Sequence, residues 1–478
     1  MSMSTELFYL LPEIILLVSA CLVLVLDVVV GAKYSSLTYI LSQITLVMAA
    51  GAVLYVDPGH PVTAFGGNFV LDPMSTLLKI SICLFTIPVF FYSLDYNLEH
   101  GLQKGEYFIL GLFAVLGMLV MVSAGTLLTV YLGLELLSLS LYAMVAMHRD
   151  SRTASEAAMK YFVLGALASG MLLYGISMLY GVSGTLQLSE LAAYIAGLEE
   201  TNLILIFGLV FVVVGIGFKL GAAPFHMWVP DVYEGSPTSV TLFISSAPKI
   251  AAFAMAMRVL VDGMSPLLHD WQGMLIILSV LSMIAGNIIA IAQTNLKRML
   301  AYSTISHIGF LLLGLIAGNR DGYAAAMFYV LVYALMSMGG FAMIILLGRK
   351  GKEADLLEDF KGLSDRSPWF AFVMLILMFS MAGVPPFLGF WAKWFVIKEV
   401  INAGFPWLAG IAVFFSVIGA YYYIRIIKLM YFDKPLEMKA IKASREMRMV
   451  LSLNALSLLV LGLSPALLMA LCLRAIGI

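Results

Sequence analysis

Apolar runs of about twenty residues recur along the whole chain, separated by short polar stretches, and none shows the strict alternation of a half-buried strand. They predict about fourteen membrane-crossing helices. These lie at residues 8–30, 37–56, 73–94, 106–123, 126–147, 157–180, 203–230, 238–261, 272–294, 299–318, 323–348, 368–401, 405–431 and 448–473. Two of the runs are interrupted. The seventh leads through GIGFKLGAAPFHMWVPDVYEGSP, with Gly221, Pro224, Pro230, Gly235 and Pro237; the twelfth contains AGVPPFLGFWAKWF. Glycine and proline release backbone groups from the helix ladder. Hydrocarbon cannot satisfy such groups, so both breaks belong inside protein or beside a watery cavity.

The breaks hold matching places. Ala222-Ala223-Pro224-Phe225 and Val384-Pro385-Pro386-Phe387 fall in the fourth helix of each half if spans 4–8 and 9–13 are two copies. Five helices is an odd number, so the second copy enters the membrane from the opposite side. The predicted fold is an all-α polytopic membrane protein with two inverted five-helix repeats, each containing a broken helix. The expected division is an N-terminal three-helix segment (1–105), the first repeat (106–262), the second repeat (270–432) and a C-terminal helix (446–478).

Composition agrees with this pattern. Of 478 residues, 62% are hydrophobic and only 12% charged, with a mean hydropathy of +1.01, too apolar for a soluble protein of this length. Loops after odd-numbered spans carry sixteen of the 27 Lys and Arg residues, and the remaining loops and the termini carry Arg320 and Arg474 alone. That bias places the odd-numbered loops in the cytoplasm and both termini outside. The N-terminus lacks the basic region of a signal peptide, and its first run is long enough to remain as a helix. A net charge of −1 offers nothing to nucleic acid. Cys21, Cys83 and Cys472 are isolated, without a CxxC, and suggest neither an iron–sulfur cluster nor zinc. The histidines form no matched pairs on helical faces for a bis-His haem. GIGFKLG lacks the spacing and the strand of a nucleotide fingerprint.

The chemistry lies in charges inside the spans. Glu135, Lys219, Lys249, His307 and Lys393 fall near mid-depth, Lys160 near the cytoplasmic start of span 6, and Lys79 in the outer part of span 3. Five isolated charges at mid-depth would cost upward of about 12 kcal/mol in lipid. They must therefore face protein, water or one another. Glu135 is the one carboxylate deep in spans 4–13, and Lys219 or Lys160 could hold it ionised. Desolvation disfavours the charged form of a lysine and a carboxylate neighbour favours it, so a lysine whose carboxylate can swing away is a proton-transfer element. His307 could relay protons or simply join two helices. Arg258, Arg425 and Lys428 are expected to snorkel from span ends, and Asp72 to be interfacial.

FKLGAAPFHMWVPDVYEGSPT followed by Lys249, LKRMLAYSTISHIGF, and AGVPPFLGFWAKWF together resemble the antiporter-like membrane subunits of respiratory complex I, a family related to Mrp-type cation/proton antiporter subunits. The resemblance covers essentially the whole chain. It implies that Glu135 and Lys219 are a paired switch with Lys160 near it, that Lys249 is the central connecting lysine, and that Lys393 is the terminal proton donor or acceptor. His226 stands by the first break, where the family also carries a histidine. Lysine at 393, where one branch of the family has glutamate, and the absence of a long lateral helix after span 14 narrow the branch. The resemblance further implies proton translocation in a bacterial cytoplasmic (inner) membrane, with FMN, iron–sulfur clusters and quinone held by other subunits and no cofactor on this chain. Expected partners are the other antiporter-like and small helical membrane subunits and the lipid bilayer, with no direct contact to NADH and none to nucleic acid. A subunit of an Mrp-type antiporter is the alternative. A scaffold in which the charges only pack helices is weaker, because buried ion pairs are poor stability devices.

Overall fold

Several of the long helices start where a side-chain oxygen is available for a first-turn amide, which has no partner within its own helix. Thr126, Ser151, Asn202, Asn295 and Asn319 each accept such a bond in the computed structural model, which describes residues 3–30, 35–102, 105–200, 202–348, 352–435, 441 and 443–477. In order, the chain forms α1 (Met3–Tyr9), α2 (Leu11–Val30), α3 (Ser35–Val56), a hairpin of β1 (Val62–Ala64) and β2 (Phe69–Leu71), and α4 (Pro73–Glu99). The hairpin strands pair antiparallel, Val62 opposite Leu71, and Val70 N donates to Ser123 O at 2.8 Å.

The next stretch holds α5 (Glu106–Val122), α6 (Leu127–Val145), α7 (Arg152–Ser183), the short α8 (Leu188–Ala196), α9 (Leu203–Leu220), α10 (Trp228–Gly235), α11 (Thr238–Ile244) and α12 (Ala247–Ala256). A π-helical turn, Met257–Asp262, closes it. Then come α13 (Leu268–Ile291), α14 (Leu296–Ile316), α15 (Arg320–Leu347), α16 (Leu363–Arg366), α17 (Pro368–Ala382), α18 (Leu388–Asn402), α19 (Pro406–Phe432), α20 (Arg445–Leu463) and α21 (Ala466–Ile476). Among the described residues, twelve helical stretches are long and apolar enough to cross a membrane, and α5, α17 and α21 are shorter apolar helices. Of the cations used to assign orientation, Lys33, Lys104, Arg349, Lys350, Lys439 and Lys442 lie outside the described residues.

The spans divide into a centre and a rim. In an apolar eighteen-residue stretch of 238–262 every residue is buried, and 94% are in the corresponding stretches of α14 and α15; in α7, α19 and α20 only 33% are, so most of their apolar surface faces outward, where lipid would cover it. Helix pairs approach closely where side chains vanish. A Cβ on Gly117 would lie 2.6 Å from Leu137 N on α6, and one on Gly286 would lie 2.5 Å from Ser306 N on α14.

Two spans expected to be continuous are not. Span 8 is interrupted at Ser245-Ser246, where Ser246 leaves helical geometry (φ −109°, ψ −104°) just before Lys249. Pro248 sits in the first turn of α12, where its missing N–H costs nothing. The last span is divided at Ser464-Pro465, for the same reason at its second piece.

Candidate functional site

Both broken helices end in the same way. α9 stops at Gly221, which adopts the left-handed conformation (φ 83°, ψ 33°), and α17 stops at Gly383 (φ 84°, ψ 40°). Only glycine takes that conformation without strain. The X–Pro bonds Ala223–Pro224 and Pro385–Pro386 that follow are cis. The terminal carbonyls, left without amide partners and carrying the negative end of each helix dipole, face inward. Lys249 Nζ donates to Leu220 O at 2.9 Å, and Lys393 Nζ donates to Ala382 O at 2.9 Å. Each ammonium also lies over an aromatic face, Trp228 at 5.2 Å for Lys249 and Phe310 at 5.1 Å for Lys393. Lys393 makes a further bond to Ser416 Oγ at 3.0 Å. Seryl hydroxyls of neighbouring helices satisfy the broken backbone, Ser282 accepting from Ala223 N and Ser380 from Gly389 N.

Lys219, in the last turn of α9, is buried and donates to Ser138 Oγ at 2.9 Å. It makes no direct ion pair with Glu135 here. Glu135 stands one turn before Ser138 on α6, with Oε1 buried and unpartnered, near enough to Lys219 to act on it electrostatically. Lys160 does not serve Glu135. It is half-exposed and pairs with Asp231 at 2.8 Å and Glu156 at 3.0 Å. Arg298 completes that network through Asp231 at 3.0 Å and Glu234 at 2.7 Å. These groups line an open cleft of about 590 Å³ that also receives His100, His148, Lys297 and Glu353. His226 is half-buried in the first break, its Nδ1 enclosed without a hydrogen-bond partner.

His307 sits between two tyrosines. Its Nδ1 is 2.7 Å from Tyr329 OH and its Nε2 3.0 Å from Tyr423 OH, which also bonds Ser303. Tyr333 OH donates to Thr304 Oγ1 at 2.8 Å, one turn before His307. The Tyr233 ring is 6.4 Å from that of Trp228 and 5.8 Å from that of Phe341, its hydroxyl buried without a partner. Sequence reasoning missed Ser138, Tyr233, Thr304, Tyr329, Tyr333, Ser416 and Tyr423. A hydroxyl in an apolar run carries little hydropathy signal, though the four-residue spacing of Tyr329 and Tyr333 was available.

Three expectations about outlying charges are corrected. Arg258 does not snorkel: it is 3% exposed, makes two bonds to Asp72 (2.7 and 2.9 Å) and one to Asp262 (2.9 Å), and donates Nε–H to Val122 O. Asp72 is accordingly buried rather than interfacial, and caps α4. Arg425 turns inward to the carbonyls of Ile291 and Gln293 at the end of α13. Lys79 pairs with Glu13 at 2.5 Å, both buried. Among the described residues, no group of three or more His, Cys, Asp or Glu side chains is placed to hold a metal ion.

The geometry is that of a transport protein built around broken helices and buried lysines, and the comparisons agree. The family described as "NADH:quinone oxidoreductase/Mrp antiporter, TM" matches residues 124–419, and "NAD(P)H-quinone oxidoreductase subunit 2 N-terminal" matches residues 3–95. The chain belongs to this family of antiporter-like membrane subunits. Among curated relatives, it is 57% identical over 473 residues to NADH-quinone oxidoreductase subunit N of Thioalkalivibrio sulfidiphilus, with 98% of each chain covered. It is 58% identical over 467 residues to the subunit N of Thiobacillus denitrificans, covering 98% of this chain and 97% of that one. A chain of Thermus thermophilus respiratory complex I with bound aureothin superposes with a TM-score of 0.82 at 32% identity, covering 96% of this chain and 98% of that chain. A chain of the Mrp complex from a Dietzia species reaches 0.86 at 21% identity, covering 100% and 97%, and shares the fold.

Proposed function

We propose that this chain is the proton-moving, N-type membrane subunit of a bacterial NADH:quinone oxidoreductase. The observation that carries the mechanism is the pair of glycine-ended half-helices, each with a buried lysine ammonium on its last carbonyl. Such a lysine is held by a fixed dipole rather than by a full counter-charge, so its protonation responds to charges nearby. At an effective dielectric near 20, two unit charges about 8 Å apart interact by roughly 2 kcal/mol. That is about 1.5 pKa units, enough to tip a desolvated lysine across neutrality.

In this reading, Glu135 and Lys219 form the switch and Lys249 the connecting site, while His307 with its tyrosines links to Lys393 at the far end. Lys160 sits in the cleft as a surface-side group, and His226 lines the first break. Electrons stay in other subunits, and this chain's partners are the neighbouring membrane subunits of the complex. The division into segments 1–105, 106–262, 270–432 and 446–478, with both termini periplasmic, belongs to the same proposal. Labelling with a membrane-impermeant thiol reagent in intact cells, after Lys352→Cys, should leave that position unmodified; modification from outside would reverse the orientation.

The decisive experiment uses the assembled complex. Lys249→Met should lower protons moved per electron by about tenfold, with Lys249→Arg keeping more than Met. Unchanged proton movement per electron in Lys249→Met would make Lys249 structural. Sodium-driven proton exchange in vesicles without NADH would instead favour an Mrp-type antiporter.

A further inference from the structure

Three parts of the chain meet at the joint between α10 and α11. Lys297, at the start of α14, is 1% exposed and donates Nζ–H to Ser236 O at 2.7 Å. The same ammonium pairs with Glu353 Oε2 at 2.8 Å. Glu353 Oε1 accepts from Tyr96 OH, on α4, and from the Thr238 amide at 3.3 Å. Ser236 O lies at the end of one helix and Thr238 N at the start of the next, so neither has a partner inside its own helix. The cation therefore meets the orphan carbonyl and the carboxylate the orphan amide. α4 adds Asn97 Oδ1, which accepts from Ser239 Oγ at 2.8 Å.

Glu353 reaches this place because its loop is stitched to the start of α14. Leu296 N donates to Asp355 O, Leu357 N to Thr294 O at 3.0 Å, and Asn295 Nδ2 to Asp355 Oδ2 at 2.7 Å. We infer that the Lys297–Glu353 pair is a positioning clamp through which the second half of the chain and α4 fix the α10–α11 joint, and so set Lys249 against the end of α9. The inference rests on the proton-relay reading above and adds residues that touch none of its groups. Trp228 opens α10, and the span that begins at Thr238 carries Lys249 eleven residues further on. A released joint would shift both the ring under the ammonium and the ammonium itself. Burial would raise the Glu353 carboxyl, but the Lys297 ammonium and the bonds from Lys297, Tyr96 and Thr238 hold it down at about 2. The Glu353 carboxylate thus stays ionised at any pH at which the relay works.

The test compares Glu353→Ala, Glu353→Gln, Lys297→Met and the double variant Lys297→Met/Glu353→Ala in the assembled complex. Protons moved are expressed per electron and per assembled complex, so that loss of assembly alone leaves the ratio unmoved. Glu353→Ala should lower the ratio about threefold and speed hydrogen exchange of the 236–242 amides. Glu353→Gln, which keeps the shape and the acceptor oxygen, should retain most of the ratio. The double variant should be no worse than Lys297→Met, since the two residues act as one unit. If Glu353→Ala assembles poorly, Tyr96→Phe removes one strut and should give a smaller change in both readouts. A normal ratio in Glu353→Ala overturns the clamp, whether or not exchange at 236–242 rises, and so do strictly additive effects of Lys297→Met and Glu353→Ala. Lys249→Met measured alongside separates the two failures: if it too moves protons normally, the relay reading has fallen, not the clamp alone.

Discussion

The two broken helices share a backbone and differ in where their charge comes from. Each has a left-handed glycine and, three residues on, a cis proline, Pro224 or Pro386. Ten residues after the glycine, however, the first has Asp231 and the second Lys393. Lys393 turns back onto the carbonyl of its own broken helix. Asp231 faces the cleft and is held by Lys160 and Arg298, so the carbonyl of α9 must be met by Lys249 from the following span. The lengths follow suit: α10 runs 8 residues before the next span begins, α18 runs 15. What the fold preserves is a lysine at each buried half-helix end; which segment delivers it differs between the two.

That comparison can be broken at its strongest point. Lys393→Met leaves the end of α17 without its ammonium and should lower protons moved per electron by about tenfold, measured by dye quenching in vesicles holding the assembled complex. A loss much smaller than that of Lys249→Met would show the two ends are not equivalent. The glycines sharpen the contrast next. Alanine at either glycine costs ~1–2 kcal/mol of backbone strain; at Gly383 its Cβ crowds Lys393 itself, 3.0 Å from Cδ and 3.4 Å from Nζ, whereas at Gly221 it crowds Val229 at 2.8 Å and lies 3.6 Å from Lys249 Nζ. Gly383→Ala should therefore reduce the proton ratio about fivefold, while Gly221→Ala should show mainly in the thermal inactivation midpoint. Ser138→Ala, removing the hydroxyl between Lys219 and the Glu135 face, should cost about twofold to threefold in the ratio. Lys160→Gln should have the smallest effect, under about twofold, because its pair is solvent-exposed; a tenfold loss there would move the uptake site to the cleft.

How much of this was legible is clearest at single residues. Gly221, Pro224, Gly383 and Pro386 announce their breaks, because no other residues end an apolar helix so sharply. Lys219, Lys249, His307 and Lys393 stand out because charge in an apolar run is costly. The break before Lys249 was also written, in Ser245-Ser246 and Pro248, but two serines in an apolar run look like helix as readily as turn. Partners distant in sequence could not be read. Arg258 and Asp72 are 186 residues apart, and Lys297 and Glu353 are 56 apart. Hydropathy locates a charge along the chain but not the charge that will face it. The Glu135–Lys219 pair shows the converse: both residues were visible, while the hydroxyl of Ser138 that takes the ammonium was not.

The aromatic beneath Lys249 carries one more consequence. Trp228 is one of six tryptophans in the chain, is 2% exposed, and has its ring centre 5.2 Å from Lys249 Nζ with its indole N–H held by Phe218 O. An ammonium gained or lost at that distance, in a medium of low dielectric, changes the electric field across the indole. With the other five tryptophans of the chain replaced, its emission wavelength would act as a voltmeter built into the molecule, reading the charge of Lys249 during turnover.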